Sequence, residues 1–444
     1  MDRLQVVVVG GGMAGLFTAS ELLAAGVEDV LVVEAEAEPG GVARTIRSQG
    51  FAVEPAAGTL LLPHPDLSPV LERVGARVTE AGPAASTRYV YIGSRLVTLE
   101  PSPKALLAPL VPWSAKLRAF AEPLVRRSAN SADETLDEFC RRRFGKEAGR
   151  MLAWLAASGG FAGDPEQLSA KACFPVLVDL EDEGGSVVRG ALRRRRRRPR
   201  DAVRPKPHLP VGGTEAIARA AAARLDHRLR GGFEVGSVTR EGSGWVVDGS
   251  ESLRAEAVVM ACSPKVSAGL LGGDIGDLLN LATAAPVAVV ALGGEADPSP
   301  IPPGFGALVG PDTGMVSRGI LFESSYAPDR APEGSWLVKV IAGGAIRPEV
   351  AQWSTGRLID RVLGEASSVI GADLEPSFVE VVRHLPGIPQ YPVGHREWLR
   401  SLDQNLADAP GLHLTGWGYR GVGLAQLAAD ATRVAERVAE TVVD

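Results

Sequence analysis

Apolar positions near the start of the chain come in blocks rather than singly. Four consecutive valines in "QVVVVG" give way to glycines, then to "LFTASELLAAG", then to a second apolar run in "VEDVLVVEAE". An unbroken valine run suits a parallel strand buried on both faces, and Gly26 stands where a helix C-terminus takes positive φ. The pattern therefore predicts strand, turn, helix, strand, a βαβ opening. From about Ser102 to Leu192 the spacing turns helical, with prolines as punctuation. After a run of arginines, "LPVGGTEAIARAAAARL" predicts an alanine-rich helix entered through two glycines. Short strands follow in "FEVGSVTREGSGWVVDGSESLRAEAVVMACSP". Between Val287 and Val382, strand-like runs such as "VAVVALGG" and "WLVKVIAGG" alternate with Pro/Gly loops and one helix near Gly356 to Val369. The chain closes on a strand, a glycine-rich turn and a long amphipathic helix in "GLHLTGWGYRGVGLAQLAADATRVAERVAETVV".

Composition narrows this picture. At 444 residues the chain exceeds what one core usually supports, so two or three domains built from discontinuous pieces are expected. A composition of 45% hydrophobic and 23% charged residues is that of a soluble globular protein, and a net charge of −6 argues against a general nucleic-acid binder. Cys140, Cys173 and Cys262 lie far apart in no CxxC spacing, and "MDRLQVVVVGGG" lacks the basic region and long apolar core of a signal peptide. A reducing cytoplasm is the expected setting. No run of about 18 apolar residues is free of charges and prolines, so no transmembrane helix is expected, and association with a membrane surface stays open.

Candidate chemistry sits in the first turn. Gly10, Gly12 and Gly15 form GxGxxG between a strand and a helix, with Met13 and Ala14 opening that helix. Gly10 permits the tight turn, Gly12 lets backbone approach a diphosphate, and Gly15 lets helix and strand pack closely. The helix N-terminus then offers free N–H groups to negative charge. Glu34 ends the second strand, where a carboxylate can accept from ribose hydroxyls. Directly after it, Gly40, Gly41 and Arg44 make a second glycine-rich turn carrying a cation.

These two turns resemble the extended fingerprint of the FAD-dependent amine-oxidase-like flavoproteins. "TGWGYRGVG", with Gly416, Gly421 and Val422, resembles that superfamily's closing element. The segments "RYVYIGSRLVTLEPSPKALL", "FAGDPEQLSAKACFP", "GFGALVG" and "GIPQYPVGH" follow one another as in the oxygen-dependent FAD protoporphyrinogen oxidases and their close relatives the coproporphyrinogen oxidases. The resemblance covers nearly the whole chain. It implies an α/β fold with a Rossmann-type FAD-binding domain assembled from both termini (1–75, 209–266 and 400–444). An α+β substrate domain (76–100 and 267–399), a helical membrane-binding insertion (101–192) and an Arg-rich loop (193–208) would complete the chain.

The implied activity is oxygen-dependent oxidation of protoporphyrinogen IX by FAD with release of hydrogen peroxide. Three alternatives stay open: coproporphyrinogen III as substrate, a divergent flavin oxidase with another substrate, and a non-catalytic flavoprotein partner of haem synthesis. Expected partners are the porphyrinogen, molecular oxygen and a membrane surface, with a homodimer open and nucleic acid not expected. No catalytic side chain and no metal are implied, because hydride would pass to FAD. On the cofactor side the resemblance implies Gly10, Gly12, Met13, Ala14, Gly15, Glu34, Gly41, Arg44, Gly416, Gly421 and Val422, with Val238 on the strand that contacts adenine. On the substrate side it implies Arg88 against a propionate, Gly163 where backbone approaches the macrocycle, and Phe305 and Leu308 as apolar walls.

In "VPWSAKLRAFAEPLVRR", Leu117, Phe120, Leu124 and Val125 share a helical face, Lys116, Arg118, Arg126 and Arg127 can reach anionic headgroups, and Trp113 marks the boundary. An ordinary helix packed on the core fits the same periodicity. Arg193 to Arg198 are expected to form a solvated, partly disordered loop, with attraction to anionic lipid as the alternative. The chain departs from the family pattern twice. Pro55, Ala56, Ala57 and Gly58 replace a Gly-Pro step, and Trp417 and Ala425-Gln426 replace asparagine-containing pairs in the closing motif.

Overall fold

The computed structural model describes residues 3–99, 107–127, 132–199, 203–296 and 299–442. The valine run forms the strand Leu4–Val9, flanked in parallel by Val30–Val33 and Ser252–Met260. Leu229–Arg230 and Leu412–Leu414 add further parallel pairings, and Gly244–Asp248 and Ser237–Glu241 continue as an antiparallel meander. Both faces of this first sheet are covered, which is why its valines need not alternate with polar residues. Val6 and Val8 pack beneath the helices, while Val7 and Val9 face a second cluster with Val258, Met260 and Leu414. The opening helix, Met13–Ala24, is buried continuously from Met13 to Leu22. It lies against the helices Leu67–Val74, Thr214–Leu225 and Leu424–Val442, so the first and last parts of the chain share one core.

A second seven-stranded sheet runs in the order Phe378–Gln390, Thr283–Glu295, Ser335–Gly343, Ser317–Leu321, Gly306–Val309, Arg88–Ile92, Arg95–Leu99. Its pairings are antiparallel except that Gly306–Val309 runs parallel to Arg88–Ile92. One face, carrying Ala307, Ile320, Trp336, Val338 and Val340, packs on Leu358 and Val362 of the helix Thr355–Ile370. The opposite face looks toward residues 54–58 and the helix Lys146–Phe161.

Between Arg95–Leu99 and Lys206–Pro210 the described chain is helical: Trp113–Phe120, Leu136–Phe144, Lys146–Phe161, Ala170–Cys173, Pro175–Gly184 and Val187–Arg197. A capping box starts the second of these, with Thr135 and Glu138 each accepting the other's backbone N–H. Arg143, fully buried, pairs with buried Glu122 and Glu181, and Glu122 in turn accepts the N–H groups of Val187 and Val188. That network ties four helical segments together.

Here the sequence expectation is corrected. Arg193 to Arg197 are not a loop but the last turns of Val187–Arg197. Arginine is a good helix former, cations suit a helix C-terminus, and Arg194 pairs with Glu183 of the antiparallel neighbour. The expected loop also ends early, because Lys206–Pro210 is a strand paired with Leu60–Leu62 and Val78–Glu80. Residues 101–106 and 128–131 of the expected insertion and 200–202 of the expected loop lie outside the described residues. Among those described, no helix is long and apolar enough to cross a membrane.

Candidate cofactor and substrate site

Three glycine turns meet at the carboxyl end of the first sheet. Gly10 takes φ +108, and its N–H donates to Val33 O (2.8 Å). A Cβ on Gly15 would lie 1.9 Å from the Gly10 carbonyl oxygen, so only glycine lets this helix sit on this turn, whereas a Cβ on Gly12 would meet nothing within 4 Å. Gly12 therefore faces open space at the start of a helix with no side-chain cap and no acid in its first turn. Met13 and Ala14, which follow it, are buried. Glu34 is fixed by two backbone donors, Gly11 N–H to Oε2 (2.6 Å) and Glu36 N–H to Oε1 (2.9 Å).

The second turn abuts the first. Gly40 N–H donates to Gly11 O (2.8 Å), and a Cβ on Gly41 would stand 3.4 Å from Gly12 Cα. Arg44 is exposed and has no side-chain partner among the described residues, a cation beside the open helix end. The third turn comes from the far end of the chain. Gly416, at φ +131, lies close enough that its Cβ would be 3.9 Å from that of Ala14. The hydroxyl of buried Tyr391 donates to Trp417 O and accepts from Gly421 N–H (2.7 Å), which pins both ends of the short helix Trp417–Arg420. Val422 packs half-buried on the helical insertion's core.

The expected Val238 is not at this site. It is 1% exposed in the core with Phe233 and Val247, because its strand turns that side chain inward. Val235, half-buried in the preceding loop, instead borders a surface cleft with Glu234, Gly236, Ser237, Asp248 and Gly249. Phe233 N–H donates to Glu34 O (2.8 Å), so that loop runs alongside the Glu34 carboxylate.

The turn at residues 54–58, where the chain departs from its family pattern, is held by two basic side chains of the second sheet and by Arg330 of the short helical turn Pro328–Arg330. Lys339 Nζ donates to Glu54 O (2.8 Å), His384 Nε2 lies 3.0 Å from Pro55 O, and Arg330 Nη2 donates to Gly58 O (2.7 Å). Lys339 and Arg330 also flank Glu323. Burial pushes the Glu323 carboxyl up, yet these two cations outweigh it and hold it down to about 2. On the other side, the buried Glu54 carboxylate accepts from Thr45 Oγ1 (2.9 Å) and Thr214 N–H (3.2 Å). The altered loop is thus held from both sides, and none of the residues that hold it was an expected site residue.

The inner face of the second sheet carries Arg88 and Leu308, two of the four residues expected on the substrate side. Register places Arg88, Gly306 and Leu321 side by side, with Leu308 two residues along and Lys339 beside Leu321. Leu308, Leu321 and Ile341 are half-buried there, and Leu308 lies 3.5 Å from the Cβ position of exposed Gly159. Arg88 is exposed, its guanidinium 5.4 Å from the centre of the Phe305 ring, which stacks on Tyr326. Gly163 is buried and tightly enclosed, since a Cβ would meet Leu168 Cδ1 at 2.5 Å. Its carbonyl accepts from Arg318. Arg318, Leu321 and Ile341 were missed because strand periodicity alone does not say which sheet face is left open.

These turns fit FAD. Gly12 offers backbone where a side chain would obstruct, and among the described residues Arg44 has no partner and the shielded Trp417 Nε1 has no acceptor, a donor that an acceptor-rich cofactor would satisfy.

Residues 13–443 match the model of the flavin-containing amine oxidoreductases, and the chain belongs to that family, a class of FAD-dependent oxidoreductases. Within it the relatives are porphyrinogen oxidases. The chain is 31% identical to human protoporphyrinogen oxidase over 94% of its length and 95% of the relative's. It is 29% identical to the chloroplastic protoporphyrinogen oxidase of rice (98% and 88%). To coproporphyrinogen III oxidase of Bacillus subtilis it is 26% identical, over 95% of each. Among solved structures, a protein of Exiguobacterium provisionally named a protoporphyrinogen oxidase superposes with a TM-score of 0.83 over 99% of both chains at 22% identity. The cyclohexylamine oxidase of Brevibacterium oxydans gives 0.73 over the full length of both at 17%. The chain is therefore a member of the protoporphyrinogen and coproporphyrinogen oxidase group.

Proposed function

We propose that the chain is an oxygen-dependent porphyrinogen oxidase, converting a porphyrinogen, protoporphyrinogen IX or coproporphyrinogen III, and three molecules of oxygen to the porphyrin and three of hydrogen peroxide. Held by the three glycine turns, FAD would supply the two-electron acceptor between macrocycle and oxygen. The chain's own residues bind and orient. The observation that carries this reading is the second sheet's inner face, where half-buried Leu308, Leu321 and Ile341 offer an apolar floor bordered by Arg88. A flat apolar ring with carboxylate arms matches such a floor, the arm pairing with a planar guanidinium. The clamp of Lys339, His384 and Arg330 fixes the 54–58 turn beside that face, which holds the reacting partners in register. FAD-loaded protein mixed in air with either porphyrinogen should form fluorescent porphyrin with three peroxides per macrocycle. Formation no faster than in protein-free buffer contradicts the proposal.

Peripheral membrane association belongs to the same proposal. Leu107, Trp113, Leu117, Phe120 and Leu124 are all about half-exposed or more, Leu124 reaching 80%, and make an apolar ridge on the helical insertion. The cations expected on it are mostly spent. Lys116 is buried and donates to Leu107 O, Arg118 donates to the carbonyls of Arg142 and Arg143, and Arg127 pairs with Asp182. Among the described residues, Arg195, Arg196 and Arg197 have no acidic hydrogen-bonded partner; they end the helix whose first turn meets Glu122. An apolar ridge and a separate cluster of such arginines fit an anionic bilayer surface.

A further inference from the structure

Arg318 is a buried cation without an anion. It is 6% exposed, and its Nη2 donates to two neutral acceptors, Ser158 Oγ (2.9 Å) and Gly163 O (3.0 Å). Its Nε is shielded from water and meets no acceptor. The guanidinium lies 4.4 Å from the centre of the Trp154 ring, and the Trp154 indole N–H is itself taken by Val309 O. Among the described residues no carboxylate pairs with it. Asp164 acts on it only through space, its oxygens engaged by Glu166 N–H and Gln167 Nε2. Burial pulls this arginine down to about 10, the mark of a charge held in a dry place without its counter-ion. Such a group is costly unless a partner arrives, because an unpaired buried charge forfeits its hydration.

Its position indicates the partner. Arg318 interrupts the register of its strand, and its side chain is on the inner sheet face beside the helix Lys146–Phe161, next to Leu308 and exposed Gly159. Arg88 lies on the same face two strands away and three residues along. The two Cα atoms are then roughly 14 Å apart at ordinary sheet spacings. Cations at both ends of one apolar floor suit a flat ring carrying carboxylates on opposite edges.

Resting on the porphyrinogen reading, we infer that Arg318 pairs with a second substrate carboxylate, opposite the one at Arg88, and so selects a tetracarboxylate macrocycle such as coproporphyrinogen III over a dicarboxylate one. An arriving carboxylate gives the free Nε its acceptor and the charge its counter-ion, whereas a vinyl group at that place leaves both unsatisfied.

The test is equilibrium binding to FAD-loaded protein, followed by tryptophan quenching, with coproporphyrin III, its tetramethyl ester and protoporphyrin IX. Wild type should bind coproporphyrin III about tenfold or more tighter than protoporphyrin IX, a charge-assisted bond's worth. Arg318→Leu should erase that preference while leaving the ester unaffected, and Arg318→Lys should recover part of it. Equal coproporphyrin affinity in wild type and Arg318→Leu overturns the inference and leaves the porphyrinogen reading standing, as does an ester affinity that falls as far as the acid's. Wild type that binds none of the three overturns both.

Discussion

At the scale of single residues, glycine geometry makes the sharpest statement. The Cβ of a Gly15→Ala protein would sit 1.9 Å from a main-chain oxygen, and neither backbone can yield without separating the opening helix from the sheet. That variant should purify without bound flavin or not fold at all. Gly12→Ala meets no such obstacle and should fold, with weakened FAD retention as its defect, read as the ratio of flavin absorbance to protein. A different residue governs pH response. Burial, with Arg437 and Arg433 nearby, pulls His413 down to about 4 from its ordinary 6.5. The unfolded chain therefore takes up a proton below pH 6.5 that the folded chain refuses until about 4. Stability should fall as pH drops through that window by up to about 1.4 kcal/mol per unit. His413→Gln, followed by urea unfolding at several pH values, should flatten that slope, and an unchanged slope would remove His413 as its source. The glycine turns and the place of Glu34 at its strand end were legible in the sequence because they are set locally. Val238 was not, because whether a strand residue faces core or ligand depends on the other strands around it.

At the scale of elements, the helical insertion shows both the reach and the limit of periodicity. Helices were expected through this stretch and are found, since prolines and apolar spacing mark them locally. The arginine run was misread because the resemblance implies a loop there, whereas Glu183 on the antiparallel helix pairs with Arg194 and the helix C-terminus favours cations. Charge was also expected on the ridge helix itself, but Lys116 turns inward because a carbonyl, Leu107 O, and the Trp113 ring lie within its reach. Ridge and arginines should thus contribute separately to membrane attachment. In co-sedimentation with anionic vesicles, replacing Leu117 and Leu124 by glutamate should weaken binding at any salt. Replacing Arg195 to Arg197 by glutamine should weaken it mainly at low salt. Equal sedimentation of all three proteins would count against a membrane surface as the ridge's partner.

At the scale of the whole molecule, the two termini and the middle of the chain converge on one site. Gly416 stands beside Ala14, Tyr391 pins the closing turn, and Lys339 and His384 of the second sheet together with Arg330 grip the 54–58 turn. The sequence showed that both ends carry glycine turns, and the family resemblance supplied their joint use. It could not show the clamp, whose members lie more than 250 positions from the loop they hold and form no motif. Nor could it show that Arg318 is left without an anion, which is a property of burial. Apolar floor, cations and cofactor turns make one claim together, that a reduced tetrapyrrole hands its electrons to flavin here. The measurement that tests it most directly is anaerobic mixing of the FAD-loaded protein with protoporphyrinogen IX and, separately, coproporphyrinogen III, following the visible flavin band. Loss of that band with at least one of them, and porphyrin fluorescence on admitting air, is the expected result. A band that stays oxidised with both, in protein carrying its full complement of FAD, would contradict the account.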